Sequence, residues 1–280
     1  MTAVIEDLPS IAEVVRRHAL SPKKSLGQNF LFDLNLTSRI ARAAGPLEGR
    51  TVVEIGPGPG ALTRALLIEG ADHVIAIDLD PRVEAVMAEI SEACRGHLTF
   101  LNQDALTYSP SDCANPKLIV ANLPYNIGTR LLTHWLTPTR WPSWFSGMVL
   151  MFQKEVADRI TAPVGSKAYG RLSVLSQWRT NPESLFEINP QAFVPPPKVT
   201  STVVRFDVID QPPPVPLHAL ETVTAAAFNQ RRKMLRQSLK AIAADPIRLL
   251  TEADIEPTRR AETLEVAEFV RLANAYAVTS

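Results

Sequence analysis

The sequence predicts an α/β fold: a Rossmann-like parallel sheet followed by a small C-terminal α-helical domain. Three observations predict it. Apolar, β-branched runs alternate with helical patterns through the first two thirds of the chain. Four successive runs each end in an acid or an amide. Beyond a proline-rich stretch, "DQPPPVP" (210–216), the pattern is helical to the end with no strand-like run.

The elements follow in order. "TVVEI" (51–55) is a short apolar strand with Glu54 near its tip, and "GPGPG" follows at once. "ALTRALLIE" (61–69) has helical spacing, "HVIAID" (73–78) is a strand ending in Asp78, and "PRVEAVMAEISEAC" (81–94) is helical. "LTFLNQDA" (98–105) alternates and carries Asp104, and "KLIVAN" (117–122) ends in Asn122. Helical "TRLLTHWL" (129–136), apolar "GMVLMF" (147–152) and helical "QKEVADRIT" (153–161) come next. In "FVPPPKVTSTVVRF" (193–206) a proline loop leads into a β-branched strand, which predicts a late hairpin. In open parallel sheets the ligand crevice lies beyond the carboxyl ends of the strands. Glu54, Asp78, Asp104 and Asn122 are therefore all expected to face one site.

Length and composition set bounds. The chain has 280 residues, 46% of them hydrophobic, enough for one large domain with a smaller one. The apolar stretches are too short to span a membrane, and "MTAVIEDLPS" lacks a signal pattern, so a cytoplasmic protein is expected. Cys94 and Cys113 make no disulfide framework, and the five histidines show no zinc-type spacing. Formal net charge is zero, yet "RRHALSPKK" (16–24) and "FNQRRKMLRQSLK" (228–240) hold four and five Lys/Arg with no acid. Such patches mark either a nucleic-acid footprint or a solvated helix face. Trp135, Trp141, Trp144 and Trp178 are expected in packing rather than as base platforms.

The glycine loop points to the cofactor. "EIGPGPG" places glycines at 56, 58 and 60, whereas a dinucleotide fingerprint needs its third glycine one position later. Pro57 and Pro59 also remove two backbone N–H donors that a diphosphate would use. A tight strand-to-helix turn explains one or two of the glycines but hardly three. The loop suits a ligand that approaches the backbone closely without a diphosphate, and S-adenosylmethionine is such a ligand. Asp78 can accept both ribose hydroxyls, and Asp104 the exocyclic amine of the cofactor's adenine; either acid can instead cap the helix that follows.

The tip "NLPYNI" (122–127) points to the reaction. An adenine amine is a poor nucleophile, because its lone pair is delocalised into the ring. Two acceptors aimed at its hydrogens favour the more tetrahedral nitrogen of methyl transfer. The Asn122 side chain and the Leu123 carbonyl can be those acceptors. Pro124 fixes the backbone and Tyr125 offers a face on which an extruded base can stack.

These residues, with "KKSLGQNFL" (23–31), "SKAYGRLSVLSQ" (166–177) and "AFNQRRKMLRQSL" (227–239), resemble the bacterial small-subunit rRNA adenine dimethyltransferases. The resemblance runs from Lys23 almost to the C-terminus. It implies S-adenosylmethionine-dependent N6,N6-dimethylation of two adjacent adenosines in the 3′-terminal hairpin loop of 16S rRNA, on the assembling 30S subunit. The sheet is then that of the class I S-adenosylmethionine-dependent methyltransferases. The implied cofactor contacts are Gln28, Asn29, Leu31, Glu54, Gly56, Gly58, Asp78, Asp104, Ala105 and Asn122. Asp78 stands where many relatives carry glutamate. The implied catalytic group is Asn122, Leu123, Pro124 and Tyr125, with Phe193 as a second aromatic against the target base. Arg231, Arg232, Lys233 and Arg236, on or beside the first helix of the small domain, and Lys23 and Lys24 near the cofactor entrance are the expected rRNA contacts, with Arg16 and Arg17 beside them.

The expected division is an N-terminal extension (1–22), a catalytic domain (23–210) and a helical rRNA-binding domain (211–280). A monomer is expected, because no sustained heptad is visible. Three other readings stand beside this one: an RNA-binding assembly factor whose methylation is secondary, a methyltransferase of 23S rRNA, and a nicotinamide-dependent dehydrogenase, which the glycine spacing disfavours.

Overall fold

The computed structural model describes residues 5–23, 27–110, 117–141 and 143–279. Helix α1 (Ile11–Arg17) precedes β1 (Phe30–Leu31) and α2 (Leu34–Arg42). Then come β2 (Thr51–Ile55), α3 (Ala61–Ile68), β3 (His73–Asp78), α4 (Glu84–Ala93), β4 (Leu98–Asn102), β5 (Lys117–Asn122), α5 (Gly128–Leu136), β6 (Phe145–Gln153) and α6 (Lys154–Ile160). Helix α7 (Arg171–Arg179), β7 (Thr180–Ile188), β8 (Phe193–Val194) and β9 (Ser201–Val208) follow. Helices α8 (Leu217–Asn229), α9 (Leu235–Ser238), α10 (Pro246–Glu252) and α11 (Val266–Thr279) complete the chain.

Among the described residues the main sheet has seven strands in the order β4-β3-β2-β5-β6-β9-β7. Strands β2 to β6 pair in parallel, and β9 runs antiparallel to β6. The alternation seen in the sequence thus folds into parallel crossovers, and the central strands β2, β5 and β6 are buried along nearly their whole length. From β2 the chain steps out through β3 and β4, then returns to β5 on the other side of β2. That reversal opens a crevice at the carboxyl ends of β2 and β5.

The chain divides into two compact units, Met1–Ala157 with Glu183–Val208, and Asp158–Pro182 with Ile209–Ser280. Both differ from the division expected from sequence. Residues 158–182 fold with the helical unit, because Tyr169, Val174 and Trp178 share a core with Leu220, Leu235 and Phe269. The N-terminal extension is also part of its unit: Ile5, Val14 and Leu20 are buried in the core with Ile40, Leu66 and Val86. Ser10 caps α1 by accepting from the Glu13 N–H (3.3 Å), and buried Arg64 donates to the Pro9 carbonyl (2.7 Å). The Ser-x-x-Glu spacing was a legible start signal.

Three further departures from the sequence reading are local. Strand β4 stops at Asn102, so Asp104 sits in the turn beyond it, where its Oδ1 accepts from the Leu106 N–H (2.9 Å). The strand after the proline loop, β9, inserts between β6 and β7, while β8 pairs with β1. Residues 171–188, read without a fixed element, form α7 and β7.

Candidate active site

A cavity of about 190 Å³ opens at the β2/β5 crevice. Its wall contains every cofactor candidate named from the sequence, together with Leu123, Pro124 and Tyr125. The glycine loop forms one side. Gly58 has φ +51°, and a Cβ there would come within 2.9 Å of the Phe30 ring. Only glycine lets that aromatic of β1 close onto the loop. Gly60 (φ +85°) starts α3, where a Cβ would meet the Ile90 side chain at 2.4 Å, so the loop backbone packs directly against the Ile90 and Met87 side chains of α4.

Three acids, Glu54, Asp78 and Asp104, line the same cavity. Glu54 is 1% exposed, and its Oε2 accepts from the Thr63 hydroxyl (2.6 Å). Burial raises its carboxyl to about pKa 8, Thr63 opposes the shift, and the neighbouring Asp78 charge adds to it. Asp78 is raised too, chiefly by burial. Its Oδ1 accepts from the Asp80 N–H (2.9 Å), so it shapes the turn while facing the cavity. The helix-capping role that threatened the reading of Asp78 belongs instead to Asp80, which accepts from the Arg82 N–H.

Asp80 is the residue that sequence reasoning missed. Its carboxylate is buried and receives the Arg82 guanidinium (2.5 and 2.9 Å), the Lys23 ammonium (3.7 Å) and the Gln28 amide (3.5 Å). Arg82 holds it down to about pKa 2, against the effect of burial. Arg82 also donates to the carbonyls of Ala19 and Ser21 (3.3 Å each). The segment leading to Gln28 and Asn29 is thereby tied to the end of β3. An acid directly before Pro81 is a cap signal that could have found it.

At the tip of β5 the Asn122 amide nitrogen donates to the Asn29 carbonyl (3.2 Å), which leaves its oxygen as the acceptor. The Pro124 carbonyl receives the N–H groups of Ile127 (3.1 Å) and Gly128 (3.0 Å) and starts α5. Among the described residues none donates to the Leu123 carbonyl, so it too is an available acceptor. Tyr125 lines the cavity, and its hydroxyl is tethered to Ser201 Oγ (2.6 Å) at the start of β9. Ser201 had no sequence signal, since it lies 76 residues away.

Other expected residues lie elsewhere. Phe193 is 1% exposed, in the core with Leu31 and Val203, because β8 pairs with β1; its ring does not line the cavity, and in this arrangement it is not a second face for the base. Lys23 is engaged by Asp80, and Lys24 lies outside the described residues. Arg16 and Arg17 pair with Glu13. In the other unit the basic cluster lies directly after α8, its first long helix beyond the proline-rich stretch. Arg231 braces that unit, donating to the Ser166 carbonyl (2.8 Å) and lying 3.9 Å from Glu262. Arg232 and Lys233 are exposed, and Arg236 is half-buried. No group of His, Cys, Asp and Glu able to hold a metal occurs among the described residues.

The donor set fits S-adenosylmethionine: acids for a ribose and for a cationic amino-acid end, an apolar wall, and a loop poor in N–H groups for a diphosphate.

Residues 19–278 match the family described as ribosomal RNA adenine dimethylase. The chain is 59% identical over 274 residues to the ribosomal RNA small subunit methyltransferase A of Rhodopseudomonas palustris (strain BisA53), covering 97% of this chain and 95% of that protein. A dimethyladenosine transferase from Plasmodium falciparum has a similar structure (TM-score 0.74, 25% identity, 87% of this chain and 95% of that one). The 23S rRNA methyltransferase ErmE shares the fold (TM-score 0.68, 24% identity, 89% and 100%).

Proposed function

The chain belongs to the ribosomal RNA adenine dimethylase family, and from that premise we propose that it converts two adjacent adenosines of the 3′-terminal hairpin loop of 16S rRNA to N6,N6-dimethyladenosine. It is an S-adenosylmethionine-dependent rRNA methyltransferase. Its substrate is the assembling 30S subunit, on which it works as a cytoplasmic monomer.

The observation that carries the chemistry is the pinned Asn122 amide. Bound S-adenosylmethionine supplies an electrophilic methyl group. Asn122 Oδ1 and the Leu123 carbonyl accept the two hydrogens of the target amine and make its nitrogen more tetrahedral. Tyr125, held by Ser201, supports the extruded base. Glu54, Asp78 and Asp104 are positioned to hold the cofactor's polar groups, and the Asp80 latch keeps Gln28 and Asn29 over it. Arg232, Lys233 and Arg236 are the proposed phosphate contacts of the helical unit.

The test is incubation of the purified protein with labelled S-adenosylmethionine and undermethylated 30S or 50S particles, with mapping of the modified bases. Label in two adjacent adenosines of the 30S particle is expected. Label only in the 50S particle, or none, rejects the reading.

A further inference from the structure

Helix α5 leaves the catalytic tip with two contrasting faces. Leu131, Leu132, Trp135 and Leu136 are buried. The opposite face carries Thr129, Arg130, Thr133, His134 and Thr137, which line an open groove of about 770 Å³. These positions recur with helical period, so they form one stripe about 12 Å long. Asn126 lines both this groove and the cofactor cavity, so the groove lies directly beside the cavity.

The chemistry of the stripe is one-sided. Helix α5 contains no Asp or Glu. Among the described residues Arg130 and His134 have no ion-pair or side-chain partner, and the Thr129 and Thr133 hydroxyls make no hydrogen bond. Only the Thr137 hydroxyl is used, donating to the Thr133 carbonyl (2.9 Å). A solvated helix face ordinarily mixes acids with bases; this one offers a guanidinium, an imidazole and hydroxyls. Such groups satisfy phosphate oxygens, and the missing carboxylates would repel them.

We propose that this groove carries the sugar–phosphate backbone of the single RNA strand flanking the target adenosine, with Arg130 as its principal phosphate contact. The proposal rests on the reading of the chain as an rRNA methyltransferase and adds the path of the strand. Arg130 thereby places the strand relative to Asn122 without selecting bases.

The experiment measures binding of undermethylated 30S particles across a salt series without cofactor, then steady-state methylation. For Arg130→Ala, binding is expected to weaken about fivefold, and the slope of log K against log salt to become shallower by about 0.7, the value for one lost phosphate contact on a single strand. KM for the particle rises in step, while kcat at saturating particle, cofactor Kd and Tm stay at wild type. Arg130→Glu is weaker again, Arg130→Lys keeps the wild-type slope, and Arg42→Ala, whose partner is Glu69, changes nothing. A wild-type slope and KM in Arg130→Ala overturn the proposal, as does a loss confined to kcat or cofactor binding. If the wild-type protein binds particles but transfers no methyl group, the enzymatic reading fails while the salt slopes still decide the groove.

Discussion

Asn122 and Asn29 are 93 residues apart, yet the side-chain amide of one donates to the backbone carbonyl of the other at 3.2 Å. That bond leaves the Asn122 amide oxygen as the end that, in the proposed mechanism, accepts from the target amine. It also joins the tip of β5 to the Asn29 segment of the cavity wall, so under the proposed mechanism cofactor closure and catalytic orientation share one contact. Asn122→Ala is expected to lower kcat by about 10²–10³, the usual loss on removing one oriented polar group. Cofactor affinity, measured by calorimetry, should change only severalfold. Dimethylation at the wild-type rate would show that the amide oxygen is not an acceptor in the reaction.

The Tyr125–Ser201 hydrogen bond should be measurable as a coupling. Tyr125→Phe and Ser201→Ala each lose one bond worth about 1 kcal/mol and are expected to lower kcat about fivefold. The double variant should be no slower than either single one, because the same bond is lost. Tyr125→Ala, which also removes the ring, should be markedly slower. Additive effects in the double variant would place the two residues in separate roles.

Asp80 is expected to act on closure and stability together. Its carboxyl is held near pKa 2, below its ordinary value of 3.8. The folded state therefore releases a proton that the unfolded chain keeps as pH falls below 3.8, so the stabilisation is present above that pH and disappears towards pH 2. Asp80→Asn should cost about 2 kcal/mol at neutral pH and weaken cofactor binding, since Lys23, Arg82 and Gln28 lose their common partner. Denaturant titrations of both proteins at pH 7 and near pH 2 check this: the gap should close in acid.

Glu54 has the opposite sign. Burial holds its carboxyl up to about 8, against 4.5 ordinarily. Between those values the folded protein keeps a proton that the unfolded chain has lost, so its contribution to stability falls as pH rises from 4.5 and levels off above 8. The slope is at most about 1.4 kcal/mol per pH unit. Glu54→Gln should flatten it. A cationic cofactor in this cavity favours the carboxylate, so binding near pH 7 should release a proton. Calorimetry in buffers of different ionisation heat should detect that proton in the wild type and not in Glu54→Gln.

Much of the site was legible because its residues sit at the ends of strands. An apolar run ending in a polar residue states both the strand and the side of the sheet on which its tip emerges, so Glu54, Asp78 and Asn122 were placed without a structure, and the glycine spacing selected the kind of ligand. Asp104 was identified although its strand ends earlier, because a turn residue two positions on still reaches the crevice. The Ser10 cap and the acid before Pro81 are also local signals, carried by spacing alone.

The contacts that turn these residues into a working site are long-range. Which carbonyl meets the Asn122 amide, which hydroxyl holds Tyr125, and what gathers around Asp80 depend on chain segments brought together only when the sheet closes. The same holds for Phe193: its aromatic ring suggested a base platform, but pairing of β8 with β1 turned it into the core. Residues 158–182 likewise join the helical unit because their apolar side chains find their partners there. The sequence by itself determined the local elements, the strand tips and the cofactor chemistry, since those follow from spacing along the backbone. Only the tertiary structure decided orientation, burial and the sharing of one carboxylate among three partners, because these depend on distances between residues that the chain order leaves free.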